Sequence, residues 1–382
     1  MRIGIDARLW NQTGVGRYIR NLVYNLEKID KKNDYVLFVR EKDLEQLKIQ
    51  KRSFLRNPKF KIVRANISWH SLEEQLKFPK ILNRENLDLV HFPYISIPFS
   101  YRRPYVLTIH DLIPYHYPTG KASILPLPLY GLKLLSYKFL VYFITNRALK
   151  IITVSQATKK EIIDHLKISS NKIVVTHEGT DLKPGIGRDK SRMPFFLYVG
   201  NAYPHKNLEK LLEVFSKLKK LRTDANLVFV GKDDYFYRRL KKFADKLGIL
   251  DSVVFLGDVS DARLAVLYRS AAAFISTSLM EGFGLPVLEA MALSCPVIVS
   301  DIPTFREICK DAALYFNPDK EEEILERMKE VLYFDFNRKM YIKRGLEKAK
   351  EFSWAKTAQE TLKIYKQSLR SDELEQSLKK SL

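Results

Sequence analysis

Residues 273–292, AFISTSLMEGFGLPVLEAMA, contain a complete strand–loop–helix unit. Ala273–Ser276 is a short apolar run with β-forming residues, which is typical of a buried strand. Pro286 suits the first position of a helix, and the loop before it contains two glycines. Ligands of parallel α/β sheets bind outside the carboxyl ends of the strands. The sequence therefore predicts that functional side chains lie in this loop.

The same alternation of short strands and longer helical stretches extends along the whole chain and predicts parallel sheets. In the first half the predicted strands are Arg2–Asp6, Tyr35–Val39, Lys61–Val63, Leu87–Phe92, Tyr105–Ile109, Ile151–Val154 and Ile173–Thr176. In the second half they are Phe195–Val199, Asn226–Val230, Val253–Leu256, Ala273–Ser276, Val297–Ser300 and Ala313–Phe316. We therefore predict two doubly wound, Rossmann-like α/β domains at residues 1–183 and 194–351. A linker at 184–193, rich in glycine, proline and charge, separates them, and an amphipathic helix with a polar tail follows at 352–382.

The composition is that of a folded enzyme. The chain has 382 residues, of which 46% are hydrophobic and 29% charged, and this excludes a disordered, collagenous or disulfide-scaffold protein. Its two cysteines, Cys295 and Cys309, lie far from any CxxC or Cys/His spacing, so we expect neither a disulfide framework nor a structural zinc site. The longest apolar run, Phe139 to Thr145, is far shorter than a membrane span. These features predict a soluble, cytoplasmic protein.

The positive charge is concentrated in the first half. The net charge is +21, and residues 1–185 contribute +15 of it (31 Lys and Arg against 16 Asp and Glu). The partner of this half could be nucleic acid, an anionic membrane surface or an acidic substrate. A generally basic surface without a partner is the alternative.

Two motifs of the first half follow predicted strands. Gly14 and Gly16 lie in the loop TGVGR after the first strand, where glycine amides can approach an anion at a helix N-terminus. The motif is not a dinucleotide fingerprint, because Ile19 stands where its third glycine would fall. His110 directly follows the strand Tyr105–Ile109, where it could contact a ligand. A simple turn and a histidine bonded to local backbone are the alternatives.

The second half has charged residues next to predicted helix N-termini. Lys206 lies at the start of a helix, after the Gly200 loop, which suits phosphate binding. Glu281 and Glu289 flank the amides of the predicted helix N-terminus at 283–285. Amides bind phosphate, whereas carboxylates repel it and accept hydrogen bonds from hydroxyl groups. Together these groups predict a nucleotide-sugar site. The alternative is a capped helix with two incidental glutamates.

These motifs resemble the retaining glycosyltransferases of family 4, which have the GT-B fold. The resemblance lies in the E-x7-E spacing of EGFGLPVLE (281–289) together with TGVGRYIRNL, THD, TVSQATKKEI, VGNAYPHKN, FLGDVSD and FSWAKTAQETL in the family's order. Within the family it looks most like bacterial mannosyltransferases of lipopolysaccharide O-chain assembly. The resemblance implies two domains facing across a deep cleft, with the C-terminal helix returning to the N-terminal domain.

The resemblance also implies roles for individual residues. The implied catalytic residues are His110, Glu281 and Lys206. The implied donor-binding residues are Gly14, Gly16, Gly200, Asn201, Lys206, Gly257, Asp258, Val259, Glu281, Phe283, Gly284, Leu285 and Glu289. Glu289 would bind the ribose, Glu281 the hexose, and Lys206 the diphosphate, while His110 would contact the hexose near its reacting carbon. Asn201 and Ser294 depart from the family, which commonly has arginine and glycine there.

The chemistry that follows is the transfer of a hexose with retention. Because amides and Lys206 can bear the charge of the leaving diphosphate, we expect no essential metal and no cofactor. The donor phosphate would itself take the acceptor's proton, since no residue is an evident carboxylate nucleophile. Our best prediction is mannose from GDP-mannose, moved to a saccharide or polyprenyl-linked saccharide in cell-envelope polysaccharide synthesis. Glucose, galactose or N-acetylhexosamine from a UDP-sugar is the alternative.

Three other readings and one membrane hypothesis remain open at this point. A GT-B nucleotide-sugar epimerase, a phosphorylase and a nucleic-acid-binding protein are the rivals, and the last lacks a recognised module. The segment Ser123–Lys150 mixes leucine, phenylalanine and tyrosine with lysine and arginine, and is too short and charged to span a bilayer. It could lie on an anionic membrane surface on the cytoplasmic face, and the alternative is an ordinary packed helix pair.

Overall fold

The computed structural model describes residues 1–49, 53–117, 138–180, 182, 193–221 and 224–381. The chain forms two compact units: unit 1 comprises Met1–Glu178 and Trp354–Leu382, and unit 2 comprises Gly179–Ser353. Of the predicted linker, residues 184–192 lie outside the described part of the chain. The first domain is predicted to end at 183 and the second to end at 351, while unit 2 begins at Gly179 and ends at Ser353.

Unit 1 is built on a seven-stranded parallel sheet with the order β3-β2-β1-β4-β5-β6-β7. Its strands are β1 (Arg2–Asp6), β2 (Asp34–Val39), β3 (Phe60–Arg64), β4 (Leu89–Phe92), β5 (Tyr105–Ile109), β6 (Lys150–Thr153) and β7 (Ile173–Val175). Its helices are α1 (Gly14–Ile29), α2 (Glu41–Ile49), α3 (Leu72–Arg84), α4 (Ile113–His116), α5 (described over 138–147), α6 (Gln156–Leu166) and the C-terminal α14 (Trp354–Ser381).

Unit 2 repeats the design with six parallel strands in the order β10-β9-β8-β11-β12-β13. Its strands are β8 (Phe195–Val199), β9 (Asn226–Val230), β10 (Val253–Phe255), β11 (Ala273–Ser276), β12 (Val297–Ser300) and β13 (Ala313–Phe316). Its helices are α7 (Leu208–Leu221), α8 (Tyr235–Lys246), α9 (Asp261–Ser270), α10 (Leu285–Ala292), α11 (Pro303–Cys309), α12 (Glu321–Tyr333) and α13 (Asp335–Ala349).

Every predicted strand is present, with ends shifted by at most two residues. The strands could be located because both faces of each sheet are covered, so the strands are near-continuous apolar runs. In β1, for example, Ile3 and Ile5 are fully buried on one face, and Gly4 lies between them against Leu87 and Phe38. The predicted α/β class is therefore confirmed in both units.

The C-terminal helix belongs to unit 1, as the resemblance implied. α14 packs along α1, and its Tyr365 hydroxyl lies 2.6 Å from Nδ1 of His91, which is fully buried. Nε2 of His91 bonds Thr108 Oγ1 at 2.7 Å, so the helix is joined to β4 and β5. Burial lowers the pKa of His91 to about 3, so the ring is neutral inside the fold. Within the described residues, no helix combines the length and the apolarity needed to cross a bilayer.

Candidate functional site

The strand order of unit 2 reverses between β8 and β11, which are neighbours in the sheet. The connections that follow β8 and β11 therefore leave the sheet in opposite directions, which opens a crevice at the carboxyl ends of these strands. The loop after β8 contains Gly200 and ends at Lys206, and the loop after β11 runs from Thr277 to Gly284. The two segments that the sequence predicts to bind a ligand thus meet at the switch point.

Lys206 and Glu281 form an ion pair at this point. Lys206 Nζ donates to Glu281 Oε1 at 2.6 Å, and Ser278 Oγ donates to the same oxygen at 2.7 Å. Each charged side chain is 14% exposed, so the pair is accessible without being surface-like. Burial alone would raise the pKa of Glu281, but the Lys206 charge and the two hydrogen bonds outweigh it and hold that pKa below its usual value. The carboxylate is therefore ionised at neutral pH.

Three hydrogen bonds hold the loop that carries Lys206 against the segment that follows β11. Thr277 Oγ1 donates to the carbonyls of Lys206 and Asn207, at 2.9 and 3.1 Å, and Leu279 N donates to the carbonyl of His205 at 2.8 Å. Asn207 takes a left-handed conformation with φ 55°, which asparagine tolerates. Burial and the Lys206 charge lower the pKa of His205 to about 4, so the ring beside the lysine is neutral. Of the neighbouring residues His205 and Lys206, only the lysine therefore contributes a positive charge, and the loop holds it in place.

The glutamate segment continues into α10 through Gly284, whose φ is 93°. A Cβ there would lie 2.8 Å from a Phe305 ring carbon, so glycine is required for two reasons. α10 begins at Leu285, and Phe283 in the turn before it is 4% exposed. One turn into the helix, Glu289 is 2% exposed and accepts a hydrogen bond from Tyr268 at 3.2 Å. Glu289 is thus positioned by its neighbour on α9.

Three glycines bring the ends of β8, β9 and β10 together. Gly231 N donates to the Gly257 carbonyl at 3.1 Å, and a Cβ on Gly231 would lie 2.1 Å from the Gly200 carbonyl oxygen. Gly200 and Gly257 have φ values of 148° and 68°. The Tyr237 hydroxyl donates to the Gly200 carbonyl at 2.7 Å and fixes its direction. Only glycine fits this close backbone approach.

The remaining predicted residues of unit 2 border these glycines. Tyr198 donates to the Asn201 carbonyl at 2.6 Å, so Asn201 is anchored through its backbone. Beyond Gly257, Asp258 is exposed and Val259 is half-buried. Sequence reasoning missed Gly231, Thr277 and Ser278. A glycine directly after a strand and the polar run Ser276-Thr277-Ser278 at a strand end were the available signals.

The two glycines of unit 1 that the sequence predicts to bind the donor differ in their surroundings. α1 begins at Gly14, which is exposed, and a Cβ there would meet nothing within 4 Å. Gly16 is buried two residues on, and a Cβ there would lie 2.5 Å from the Trp10 carbonyl oxygen and 2.8 Å from that of Leu9. The structure thus explains Gly16 by close backbone packing. The predicted contact of both glycines with phosphate stays a prediction.

His110 follows β5 and is held on both ring nitrogens. Its Nε2 lies 3.0 Å from the Pro93 carbonyl oxygen, and its Nδ1 lies 3.2 Å from Glu178 Oε1. The Tyr18 ring meets it edge to face, with ring centroids 4.9 Å apart. A carbonyl oxygen only accepts, so Nε2 donates its hydrogen to Pro93. Glu178 was not singled out by the sequence, because nothing in HEGTD marks a partner for a histidine 68 positions earlier.

The structure brings Lys206 and Glu281 into contact and gathers Gly200 and Gly257 around Gly231. It places Glu289 on the helix that Gly284 and Leu285 begin. In the described part of unit 2, no three histidine, cysteine, aspartate or glutamate side chains converge as metal ligands would. What unit 2 offers a ligand at its switch point is one lysine, one ionised carboxylate and glycine-lined backbone.

Comparison with known proteins gives the same picture over both units. Residues 12–183 match the family described as Glycosyltransferase Family 4, and residues 183–348 match Glycosyl transferases group 1. The O-antigen chain mannosyltransferase RfbU of Salmonella typhimurium is 33% identical over 265 residues, which cover 69% of this chain and 70% of that protein. The O-antigen chain mannosyltransferase B of Escherichia coli is 27% identical over 298 residues, covering 73% and 74% of the two chains.

A solved structure agrees in fold at low identity. Sucrose-phosphate synthase from Thermosynechococcus elongatus superimposes with a TM-score of 0.77 at 18% identity, over 97% of this chain and 100% of that one. Two parallel Rossmann-like sheets of seven and six strands, with a returning C-terminal helix, make up the GT-B fold that the sequence predicted.

Proposed function

We propose, on the premise that this chain belongs to glycosyltransferase family 4 and is a hexosyltransferase, that it transfers mannose from GDP-mannose. The proposed acceptor is a saccharide or a lipid-linked saccharide of cell-envelope polysaccharide synthesis. Two relatives named O-antigen chain mannosyltransferases support the choice of mannose and of the process. The observation that carries the proposed transfer chemistry is the Lys206–Glu281 pair at the switch point of unit 2.

In the proposed donor site, Lys206 binds the diphosphate and Glu281 accepts hydrogen bonds from hexose hydroxyls. The 2.6 Å pair supports this, because it places a cation and an ionised carboxylate side by side and the Lys206 charge lowers the pKa of Glu281. The amides of Phe283, Gly284 and Leu285 lie at the positive end of α10 and suit the phosphate next to the hexose.

The nucleoside half of the donor is assigned to the surrounding elements of unit 2. Glu289 would accept the ribose hydroxyls. Gly200, Asn201, Gly257, Asp258 and Val259 would line the path of the diphosphate and base. Because Gly200 and Gly257 lack side chains, a planar or charged group could approach the backbone closely there. Gly14, Gly16 and His110 keep their proposed donor roles in unit 1.

The proposed reaction breaks the bond between the anomeric carbon and the donor phosphate, on the face from which the acceptor hydroxyl attacks. The departing phosphate oxygen takes the proton of that hydroxyl, so atoms and charge balance without a protein nucleophile. Negative charge grows on the diphosphate as the bond breaks, and a fixed lysine and amides stabilise that charge more than the ground state. We expect transfer to continue in EDTA.

The acceptor is assigned to unit 1, which also has an exposed apolar surface. A groove of about 770 Å³ there is lined by His70, Ser71, Leu72, Glu74, Gln75, Ile97, Phe99, Phe139 and Leu140. Leu72 and Phe139 are 83% and 63% exposed. Isolated exposed leucines are ordinary, but several around one groove mark an interaction surface. Of the predicted membrane segment Ser123–Lys150, residues 123–137 lie outside the described part of the chain, and 138–147 are helical.

A donor panel tests the proposed sugar and base. GDP-mannose, GDP, UDP-glucose, UDP-galactose and UDP-N-acetylglucosamine are compared by thermal shift, because a ligand at 100 times its dissociation constant adds about 2.7 kcal/mol of stability. GDP-mannose should give the largest shift and should label a lipid-linked acceptor. A larger shift with a UDP-sugar would mean that the donor is that UDP-sugar and not GDP-mannose, while the assignment as a hexosyltransferase would stand. Conversion of a nucleotide sugar into its epimer without transfer would contradict the proposal.

Vesicle co-sedimentation tests the membrane surface. The full chain should bind anionic but not neutral vesicles, with binding that falls as salt rises through the range of effective screening. Phe139→Ser should weaken binding, and Tyr333→Ser is a matched control, since Tyr333 is 50% exposed in unit 2. Equal partitioning onto both vesicle types, or equal binding of the two variants, would argue against a membrane role for the groove.

A further inference from the structure

Three metal-binding side chains converge on the surface of unit 1, outside the residues assigned to the donor or acceptor. His116 is the last residue of α4, and Glu161 and His165 lie one turn apart on α6. One ligand atom from each lies within 4.8 Å of the other two. Among the residues that the structure describes, this is the one such group of three. No sequence motif marks this group, because His116 is 45 positions from Glu161.

Both imidazoles address the same carboxylate oxygen. His116 Nε2 lies 2.7 Å from Glu161 Oε2, and His165 Nε2 lies 3.2 Å from it. The two rings meet nearly at right angles, with centroids 4.6 Å apart. Ligand atoms around a tetrahedral zinc ion at about 2.0–2.1 Å are separated by about 3.3 Å. The nitrogen–oxygen separations therefore need only a small expansion to admit an ion in place of the hydrogen bonds.

The two elements are fixed by the core rather than by the cluster. On α6, Thr158, Ile162 and Leu166 are buried, which turns Glu161 and His165 outward. The Ser155 hydroxyl accepts from Thr158 N at 3.0 Å and caps the helix. A site built on a rigid helix loses little entropy when an ion binds. The exposed fractions of 31%, 34% and 39% for His116, Glu161 and His165 leave room for entry and for a water ligand.

α4 reaches the cluster from the other side. The Asp111 carboxylate accepts from Ile113 N at 2.9 Å, and Leu112 is 1% exposed, so the start of α4 is tied to the core. Lys138 Nζ lies 5.0 Å above the Tyr115 ring, and that ring is 6.4 Å from the ring of His165. One positive charge therefore already stands on this face. This charge opposes zinc and magnesium alike, so the preference for zinc comes from the two imidazole nitrogens, since magnesium prefers oxygen ligands.

We propose that His116, Glu161 and His165 form a zinc site that clamps α4 to α6. Two imidazoles and one carboxylate, with a water in the fourth position, are a common zinc donor set. The clamped segment begins directly after His110, so the ion would stabilise the turn that follows β5. The site takes no part in transfer of the sugar and does not rest on the proposed function. EDTA should remove the clamp while transfer continues.

Titration calorimetry on the metal-free full chain with zinc chloride tests the proposal. The wild type should bind one zinc ion per chain, and magnesium should not compete. His116→Ala, His165→Ala and Glu161→Gln should each weaken that binding at least about tenfold. His70→Asn removes another exposed histidine of unit 1 and keeps a residue that tolerates its φ of 55°, so it should bind like the wild type.

Two further measurements keep the outcome clear. Zinc should raise the melting temperature of the wild type and of His70→Asn but not of His165→Ala. Cobalt should give the intense visible bands of a four-coordinate ion in the wild type. These bands should be absent from the three ligand variants. No stoichiometric zinc binding by the wild type would overturn the proposal. So would equal binding by the wild type and all three ligand variants, or equal competition by magnesium.

Discussion

The switch points of the two sheets have the same strand order but use charge differently. In unit 1, Arg8 follows β1 and is 1% exposed, and its guanidinium bonds Asp6 at 2.7 Å and Glu74 at 2.6 Å. In unit 2, Lys206 pairs with one carboxylate among the described residues, that of Glu281, and is 14% exposed. The Arg8 cation thus lies between two carboxylates inside the fold, whereas the Lys206–Glu281 pair is partly exposed.

The surroundings extend this contrast. Glu74 also accepts from Ser96 Oγ at 2.6 Å and from His70 N at 3.0 Å, so the acids of unit 1 are bonded within the fold. The loops that carry Lys206 and Glu281 contain Gly200 and Gly284, whose φ values are 148° and 93°. Sheets with the same strand order at the switch point can thus bury one charged cluster and leave the other partly exposed. Burial and the number of partners, rather than strand order, distinguish the two.

The largest expected effect separates the two clusters by stability. Arg8→Met leaves two carboxylates buried without their cation and should destabilise unit 1 by about 3–5 kcal/mol. Lys206→Met leaves one carboxylate that Ser278 still bonds, so unit 2 should lose only about 1–3 kcal/mol. Hydrogen exchange of β1 and β8 amides through a urea series reads each unit separately. Equal losses in the two variants would contradict the distinction.

The glycines of α1 are next in expected size. Gly16→Ala forces a Cβ against the Trp10 carbonyl and should destabilise unit 1 by about 1–3 kcal/mol. Gly14→Ala meets open space and should change stability by less than about 0.5 kcal/mol. Thermal unfolding of the two variants measures this. If Gly14→Ala also leaves the donor KM unchanged, its proposed approach to phosphate is wrong.

The glutamates of unit 2 should affect activity more than folding. Glu281→Gln keeps the shape and removes the charge, and we expect turnover to fall at least about tenfold, or about 1.4 kcal/mol of barrier. Glu289→Ala should act mainly through donor affinity, because it is assigned to the ribose. Steady-state kinetics with the donor identified by the panel separate kcat from KM. Wild-type values for both variants would remove the site assignment.

The sequence predicted the elements well because their signals are local. Apolar runs marked all thirteen strands, and Pro286 with Gly284 marked the start of α10. The glutamates and Lys206 could be named as candidates because they follow strands that end at the same edge of a sheet. The resemblance added the fold and the returning helix.

The partnerships could not be predicted in the same way. Lys206 and Glu281 are 75 positions apart, and their contact depends on β8 and β11 being neighbours. The close approach of Gly16 to Trp10, and the convergence of His116 with α6, likewise depend on tertiary packing. The sequence predicted which residue types lie at strand ends. The partners of each charged side chain and its exposure are determined by the three-dimensional structure.

The smallest expected effect concerns acid stability at the open pair. The pKa of Glu281 is lower in the folded state than its unfolded value of about 4.3. A depressed pKa contributes stability that is complete above the unfolded value and is lost as the pH falls through the folded value. The stability difference between the wild type and Glu281→Gln should therefore be constant near neutral pH and narrow below about pH 4.3.

Ser278→Ala sharpens this last test, because it keeps the carboxylate and removes one of the hydrogen bonds that lower its pKa. As the pH falls, the free energy of unfolding of this variant should begin to decrease at a higher pH than that of the wild type, while Lys206 remains in place. Urea unfolding of unit 2 between pH 3 and 7 gives the three curves. A difference between the wild type and Glu281→Gln that stays constant down to pH 3 would mean that the fold does not lower the pKa of this carboxylate.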